Sequence, residues 1–278
     1  MGPQCYNPAV PASNKSGLAI TCDQAMEEFM STAADPAVIG EKPLSEGERI
    51  IDTFIAPSKT FTDIRRNASW WAPWLLMAVF GFGMVFVVDK KIGMDTAYEN
   101  QLRLSPKQMD KIDQMPPDQK AKAIQFGTAF TRYVSYGWPL MNIIVVGIIA
   151  GVLMATFKFG LGAEVKFMQA MAVSMYAFLP GIIRALVAIG VVSAGAAEGF
   201  TFQNPIASNL SGLVDPSSSH FLYSVLTSID IFNIWTLILT GIGYSCITRV
   251  KRGTCMGVVF GWWIVVTLVS SGLGALFA

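Results

Sequence analysis

Tyr133–Phe157 reads YVSYGWPLMNIIVVGIIAGVLMATF, 25 residues without one charged side chain. Wound as an α-helix rising about 1.5 Å per residue, the stretch reaches about 37 Å. That exceeds the roughly 30 Å hydrocarbon core of a bilayer. Four more stretches share its character. They are Ala72–Val88, Lys166–Val192 with Arg184 as its internal charge, Phe221–Thr248 with Asp230 as its internal charge, and Gly253–Ala278. The pattern predicts an all-α membrane protein, a five-transmembrane-helix bundle with spans at about 70–88, 133–157, 166–192, 221–248 and 253–278.

Composition agrees. The chain is 53% hydrophobic and 14% charged, against about 25% charged residues in an ordinary soluble domain. A net charge of +1 speaks against a nucleic-acid partner, which needs a basic surface, and no basic cluster of the kind that grips anionic head groups is present. Met1–Thr21 lacks a charged n-region followed by an apolar core, so the first span is expected to act as an uncleaved insertion signal. Cys5, Cys22, Cys246 and Cys255 show neither CxxC spacing nor a neighbouring His. They are read as small hydrophobes rather than metal ligands.

Residues 1–44, with Pro3, Pro8, Pro11, Pro36 and Pro43, are expected to be a flexible cytoplasmic tail. Residues 45–278 are read as a single domain. Ser45 followed by Glu48 is a capping box opening a short helix. Ile50, Ile51, Phe54 and Ile55 then share one helical face, with Glu48, Arg49 and Asp52 elsewhere. Pro57 interrupts, and Phe61 and Ile64 continue an apolar side to Arg66. Two arrangements suit this amphipathic element at 45–66: lying in the membrane interface with its apolar face in lipid, or packing on the bundle's cytoplasmic end. Trp70, Trp71 and Trp74 follow, the aromatic belt of a chain entering lipid.

Basic residues set the expected orientation. Arg65 and Arg66 precede the first span, Lys158 and Lys166 flank the second loop, Ser193–His220 has neither Lys nor Arg, and Arg249, Lys251 and Arg252 fill the fourth loop. The amino terminus is therefore predicted inside and the carboxy terminus outside. Asp89–Arg132 disagrees, mixing eight basic with six acidic residues between its ends. Ser105-Pro106, which suits a helix start, then Met109 and Ile112, and then a run from Asp118 after Pro116-Pro117, predict two small amphipathic helices in an external helical loop at 89–132.

Ile50-Ile51-Asp52-Thr53-Phe54-Ile55-Ala56-Pro57, then Phe61-Thr62-Asp63-Ile64, then Trp70-Trp71-Ala72-Pro73, resembles the entry region of bacterial Yip-domain proteins. Tyr176-Ala177-Phe178-Leu179-Pro180 is similar to that family's Tyr-x-x-Leu-Pro element. The positions that carry the likeness are Asp52, Pro57, Trp70, Pro73, Tyr176, Leu179 and Pro180, and it extends over about 45–278. It implies a five-span fold in a bacterial inner membrane, without an established reaction. Eukaryotic relatives carry a tighter Asp-Leu-aromatic-Gly-Pro motif; here Asp52 and Pro57 stand one residue further apart and Ala56 replaces Gly. Rab-GTPase binding, implied for that branch, is therefore not carried over.

Arg184 and Asp230 are the two intramembrane charges. At 1.5 Å per residue both fall about 12–15 Å below the outer ends of their spans. Antiparallel neighbours would bring them together, with Asn233 one turn from Asp230 and Asn142 at a comparable level. Two readings stand for this cluster of Asn142, Arg184, Asp230 and Asn233. One is a structural salt bridge that offsets the insertion cost of about 2.5–3.5 kcal/mol per charge, the simpler reading. The other is a polar site for a solute, an ion or a lipid head group, with room opened by a kink at Pro180. Gly147-x-x-x-Gly151 and Gly257-x-x-x-Gly261, with Gly81-x-Gly83 and Gly241-x-Gly243, allow close helix approach, within the monomer first and otherwise in a homo-oligomer.

His220 is the only histidine, and HExxH, GxSxG and P-loop patterns are missing from the sequence. No catalytic group, cofactor or metal site is predicted. The expected function is non-enzymatic membrane organisation or protein interaction, with Ser45–Arg66 offered to a membrane or cytoplasmic partner. The alternative is a small channel, transporter or lipid-handling protein using the polar cluster.

Overall fold

A computed structural model describes residues 42–195, 199–215 and 218–277; the tail at 1–41, with Cys5 and Cys22, lies outside them. Ser45 opens α1 (Glu46–Ile55) with a complete capping box: its Oγ accepts from Glu48 N at 3.3 Å, and Glu48 Oε2 accepts from Ser45 N at 2.7 Å. Pro57 then starts α2 (Pro57–Asp63) at the position where a missing N–H costs nothing. The inward face of α1 is rotated by about one residue from the hydrophobic face read in the sequence. Arg49 and Thr53 are buried, whereas Ile51 is 58% and Ile55 77% exposed.

The first span is α3 (Trp71–Lys91). Beyond it, α4 (Met94–Arg103) and α5 (Pro106–Asp113) fold on the far side of the bundle. Met94, Ala97, Leu102 and Ile112 anchor them inward, and Asn100 Nδ2 donates to Phe200 O at 3.1 Å. Of the two helices expected in this loop, α5 stands alone. The run from Asp118 is instead the start of α6 (Pro117–Ala155), a 39-residue helix about 58 Å long. It continues into one π turn, Thr156–Gly160. The amphipathic repeat after Pro117 and the apolar repeat from Tyr133 are in phase, so no break separates them. Asp89 ties the end of α3 to the middle of α6, meeting Arg132 at 3.0 Å and accepting from Tyr136 Oη at 3.3 Å.

The third and fourth spans are both broken. The third consists of α7 (Phe167–Ala177) and α8 (Pro180–Ser193), divided before Pro180. Proline lacks the N–H an interior helix turn requires and clashes with the preceding turn. Every residue from Ala170 to Ala177 is buried, placing α7 at the centre of the core. The fourth was expected to run unbroken over 221–248. It is interrupted at Ile229–Asp230, giving α9 (His220–Ser228) and α10 (Ile231–Thr248). Asp230 is extended there, and its carboxylate accepts from Phe232 N at 2.8 Å and Asn233 N at 3.3 Å. An N-capping carboxylate competes with helix continuation, which a hydropathy window does not register. The last span is α11 (Arg252–Phe277), resting on α9 and α10.

Five helical segments are thus long and apolar enough to cross a membrane: Trp71–Lys91, Pro117–Gly160, Phe167–Ser193, Ile231–Thr248 and Arg252–Leu276. Among the described residues there is no strand, only an isolated bridge between Asn209 and Asp230.

The helix α2 packs along α10, with α1 reaching both α10 and α7. Phe54 meets the Trp235 ring edge-on with centroids 5.6 Å apart, Phe61 packs at Gly243, and Ser58 O accepts from Cys246 Sγ at 3.8 Å. Packing on the helices thus accounts for the inward face, and only Ile51 and Ile55 remain turned outward. The glycine pairs divide differently from the spacing rule. Gly147, Gly257 and Gly261 have nothing within 4 Å of a Cβ position, whereas a Cβ at Gly241 would meet Met256, and one at Gly243 would meet Val173 and the Phe61 ring. Close approach is used where α2, α7 and α10 converge.

Gly243→Ala is expected to destabilise the fold by about 1–3 kcal/mol through overpacking, while Gly261→Ala is expected to be neutral. Thermal melting of the two variants in detergent measures the difference.

Candidate functional site

A cavity of about 660 Å³ opens among α3, α6, α8 and α10. Small residues make the room: Ala78 and Gly81 on α3 face Gly181 and Ala185 on α8 across it. On α6, Pro139 cannot donate to the carbonyl four residues earlier, and its own carbonyl accepts from Trp74 Nε1 at 2.9 Å. That bond joins α3 to α6 on one wall. Phe202, Gln203 and Pro205, from the loop before α9, close the far side. The lining is mostly apolar, with Trp74, Met77, Phe80 and Trp138 prominent. Its polar groups are Ser135, Asn142, Arg184, Gln203, Asn233 and Thr236.

Three of the four residues expected to cluster, Asn142, Arg184 and Asn233, therefore share one cavity. Asp230 is not among its lining residues. The ion pair between Arg184 and Asp230 is not formed among the described residues, because Asp230 is engaged elsewhere. It is 2% exposed, caps α10, and accepts a short hydrogen bond from Ser208 Oγ. Arg184 instead donates from Nη2 to the carbonyl of Gln203 at 3.1 Å. Asn233 Nδ2 donates to Ser228 O at 3.2 Å, so this side chain also serves the helix break. Asn142 Oδ1 is buried and has no hydrogen-bond partner among the described residues. The site thus offers a half-buried cation and an unanswered acceptor within an apolar wall.

A second polar cluster joins α1, α2 and α7. Arg49, 1% exposed, reaches Asp63 Oδ2 through Nε at 2.8 Å and Nη2 at 2.7 Å. Its Nη1 lies 3.6 Å from Glu46, and its carbonyl accepts from Thr53 Oγ1 at 2.7 Å and Thr60 Oγ1 at 3.0 Å. Burial opposes the charge on Arg49, but the hydrogen bond and charge of Asp63 outweigh it and raise the guanidinium pKa above its ordinary value. Tyr176 Oη donates to Glu46 at 2.6 Å, binding this cluster to the central helix.

The Yip1 domain model matches residues 51–273. The chain belongs to the Yip1 family. No curated protein and no solved structure shows a match to it.

In this Yip1-family chain the family-like positions sit at joints of the fold. Asp52 pairs with Lys59 at 2.9 Å across the turn between α1 and α2, and Pro57 begins α2. Trp70 is the residue before α3, and Pro73 falls in its first turn. Tyr176 and Leu179 are fully buried on either side of the break that Pro180 begins. Arg49, Asp63 and Glu46 were not singled out in the sequence, where Arg49 counted as off the apolar face. The signal was present as two buried-side threonines, Thr53 and Thr60, spaced to serve one carbonyl. Gln203 and Ser208 carried no local signal, since their role depends on a loop folding back.

Neither cluster is a general acid–base pair. His220, far from both in chemistry, places Nδ1 2.9 Å from Leu104 O and joins α9 to the far-side helices. Among the described residues no three His, Cys, Asp or Glu side chains gather to hold a metal ion.

Arg49→Met is expected to lower stability by about 3–5 kcal/mol by stranding Asp63. Arg49→Met with Asp63→Leu should recover most of that loss. Melting curves of the single and double variants in detergent provide the check.

Proposed function

We propose that this Yip1-family protein is a non-enzymatic membrane organiser that engages a membrane-protein partner through the outward face of α1. The observation that carries this reading is the exposure of Ile51 and Ile55, one helical turn apart, on a segment whose opposite side is locked by Arg49 and Asp63. A rigid apolar ridge of this kind suits recognition by another apolar helix, read as i and i+4 anchors. Phe54 and Phe61, by contrast, are turned inward and pack against α10.

The proposed setting is a bacterial inner membrane, multi-pass, with the amino end in the cytoplasm. Arg65, Arg66, Lys158, Lys166, Arg249, Lys251 and Arg252 flank spans at one end of the bundle; at the other, Ser193–His220 has neither Lys nor Arg, while Asp89–Arg132 mixes eight basic with six acidic residues. The proposed orientation follows the short loops, where basic residues mark the cytoplasmic side. A reporter active only outside the cytoplasm, fused after Ala278, is expected to be active; a reporter active only inside should be silent there.

Ile51→Ser with Ile55→Ser is expected to abolish partner recovery, read by photo-crosslinking from position 48 and by co-purification from detergent, with an unchanged melting temperature. Unchanged crosslinks would count against α1 as the contact surface. Phe61→Ser serves as the contrasting variant, because its loss of recovery should follow loss of the fold.

A further inference from the structure

We propose that the cavity among α3, α6, α8 and α10 binds the head group of a phosphate-bearing lipid, with Arg184 on the phosphate and Asn142 accepting from a head-group hydroxyl. This site is separate from the α1 face and does not depend on it.

Arg184 lies nine residues before the end of α8, about 14 Å along the helix, within a segment long and apolar enough to cross a membrane. A charged side chain there is costly, faces a cavity or a partner, and marks a functional site by default. Its carboxylate candidate, Asp230, is already occupied by Phe232 N, Asn233 N and Ser208 Oγ. Among the described residues the hydrogen bond of Arg184 goes to the Gln203 carbonyl, and the charge of Asp230 acts on it without a direct ion pair, which leaves most of its five donors to be answered from the cavity. An anion does this best, and the planar guanidinium fork suits phosphate oxygens.

Asn142 adds a second, independent requirement. Its Oδ1 is buried on the cavity wall without a donor, a state that costs about 1–3 kcal/mol. A ligand that carries a hydroxyl beside its phosphate satisfies both groups. The rest of the lining selects the class of molecule. Trp74, Met77, Phe80 and Trp138 form an apolar wall, which favours an amphiphile over a free anion. The volume, about 660 Å³, lies within the range of about 300–1,000 Å³ for small-molecule sites. The shared chemistry of a lipid head group and a soluble phosphate ester is the phosphate with a neighbouring hydroxyl; the apolar wall distinguishes them.

The test uses the full chain in non-ionic detergent, stripped of co-purified lipid. It is titrated with dioleoyl phosphatidylglycerol, dioleoyl phosphatidylcholine or glycerol 3-phosphate, and read by native mass spectrometry and thermal melting. Phosphatidylglycerol is expected to be retained and to raise the melting temperature, while the other two are not. Arg184→Gln is expected to weaken retention by about tenfold or more. Asn142→Leu should weaken it by about fivefold, yet leave the lipid-free melting temperature equal or higher, because it removes an unanswered acceptor. If Arg184→Gln fails to fold, Asn142→Leu decides. Equal retention of phosphatidylcholine, or unchanged affinity in Asn142→Leu, overturns the proposal. Glycerol 3-phosphate binding as tightly as the lipid overturns its assignment to a lipid.

Discussion

Inside a bilayer every backbone polar group must find a partner within the protein, and the broken third and fourth spans are built around that constraint. Water cannot serve a helix end at membrane depth, and each unsatisfied group there costs several kcal/mol. At the break before Pro180, Leu179 N still donates to Tyr176 O at 3.2 Å and Gly181 N to Phe178 O at 3.0 Å. The tightened turn closes without exposing donors. At Ile229–Asp230 the solution is a side chain. Asp230 takes the first free N–H groups of α10, and Ile231 N donates to Ser208 O at 3.2 Å. A loop segment from the far side is drawn in to complete that set, and Gln203 arrives with it to meet Arg184.

The placement of Asp230 determines what kind of residue Arg184 can be. Two opposite charges at matched depth would have formed a self-contained salt bridge, and a closed pair of that sort offers nothing to a ligand. With the carboxylate committed to the backbone, Asp230 acts on the guanidinium as a charge at a distance, and the direct partner among the described residues is a carbonyl beside a cavity. The contrast with Arg49 is instructive. Arg49 is more deeply buried than Arg184, yet it has Asp63, Glu46 and a pair of threonines around its carbonyl. An ion pair closed within the fold, as between Arg49 and Asp63, ties α1 to α2; Arg184, with no ion pair among the described residues, keeps donors toward the cavity.

Hydropathy made the five crossings legible because it depends on composition over about 20 residues, and composition does not change when a helix breaks. The same averaging hid the break at Asp230, which depends on one carboxylate and the backbone beside it. Capping chemistry was readable at Ser45 and Glu48, three residues apart, but the partner that holds the Asp230 joint from outside, Ser208, is 22 residues away. Helical periodicity located α1 yet misjudged its inward face by one position. Arg49 was assigned outward on charge alone, and nothing local indicated Asp63 fourteen residues later. The glycine spacing showed where helices are able to approach, not where they do. Gly257 and Gly261 face open space, while Gly243 carries the tight contact. Family resemblance located the joints without explaining them.

Those joints lie between the two clusters. Tyr176, held by Glu46 on α1, ends the buried half of the third span, and only two residues separate α7 from α8, where Arg184 follows one turn after Pro180. The third span is divided by Pro180, and Glu46 on α1 accepts from Tyr176 just before that break. A partner pressing on Ile51 and Ile55 would push on a helix tied to Tyr176, one short turn from the wall of the cavity. The family-like positions lie along this path: Asp52 and Pro57 shape the turn after α1, while Tyr176, Leu179 and Pro180 shape the break. Spatial continuity alone does not amount to coupling; coupling requires a joint with two arrangements that both sites bias. The break at Phe178–Leu179 interrupts the third span directly beside the cavity, whose lining includes Phe178.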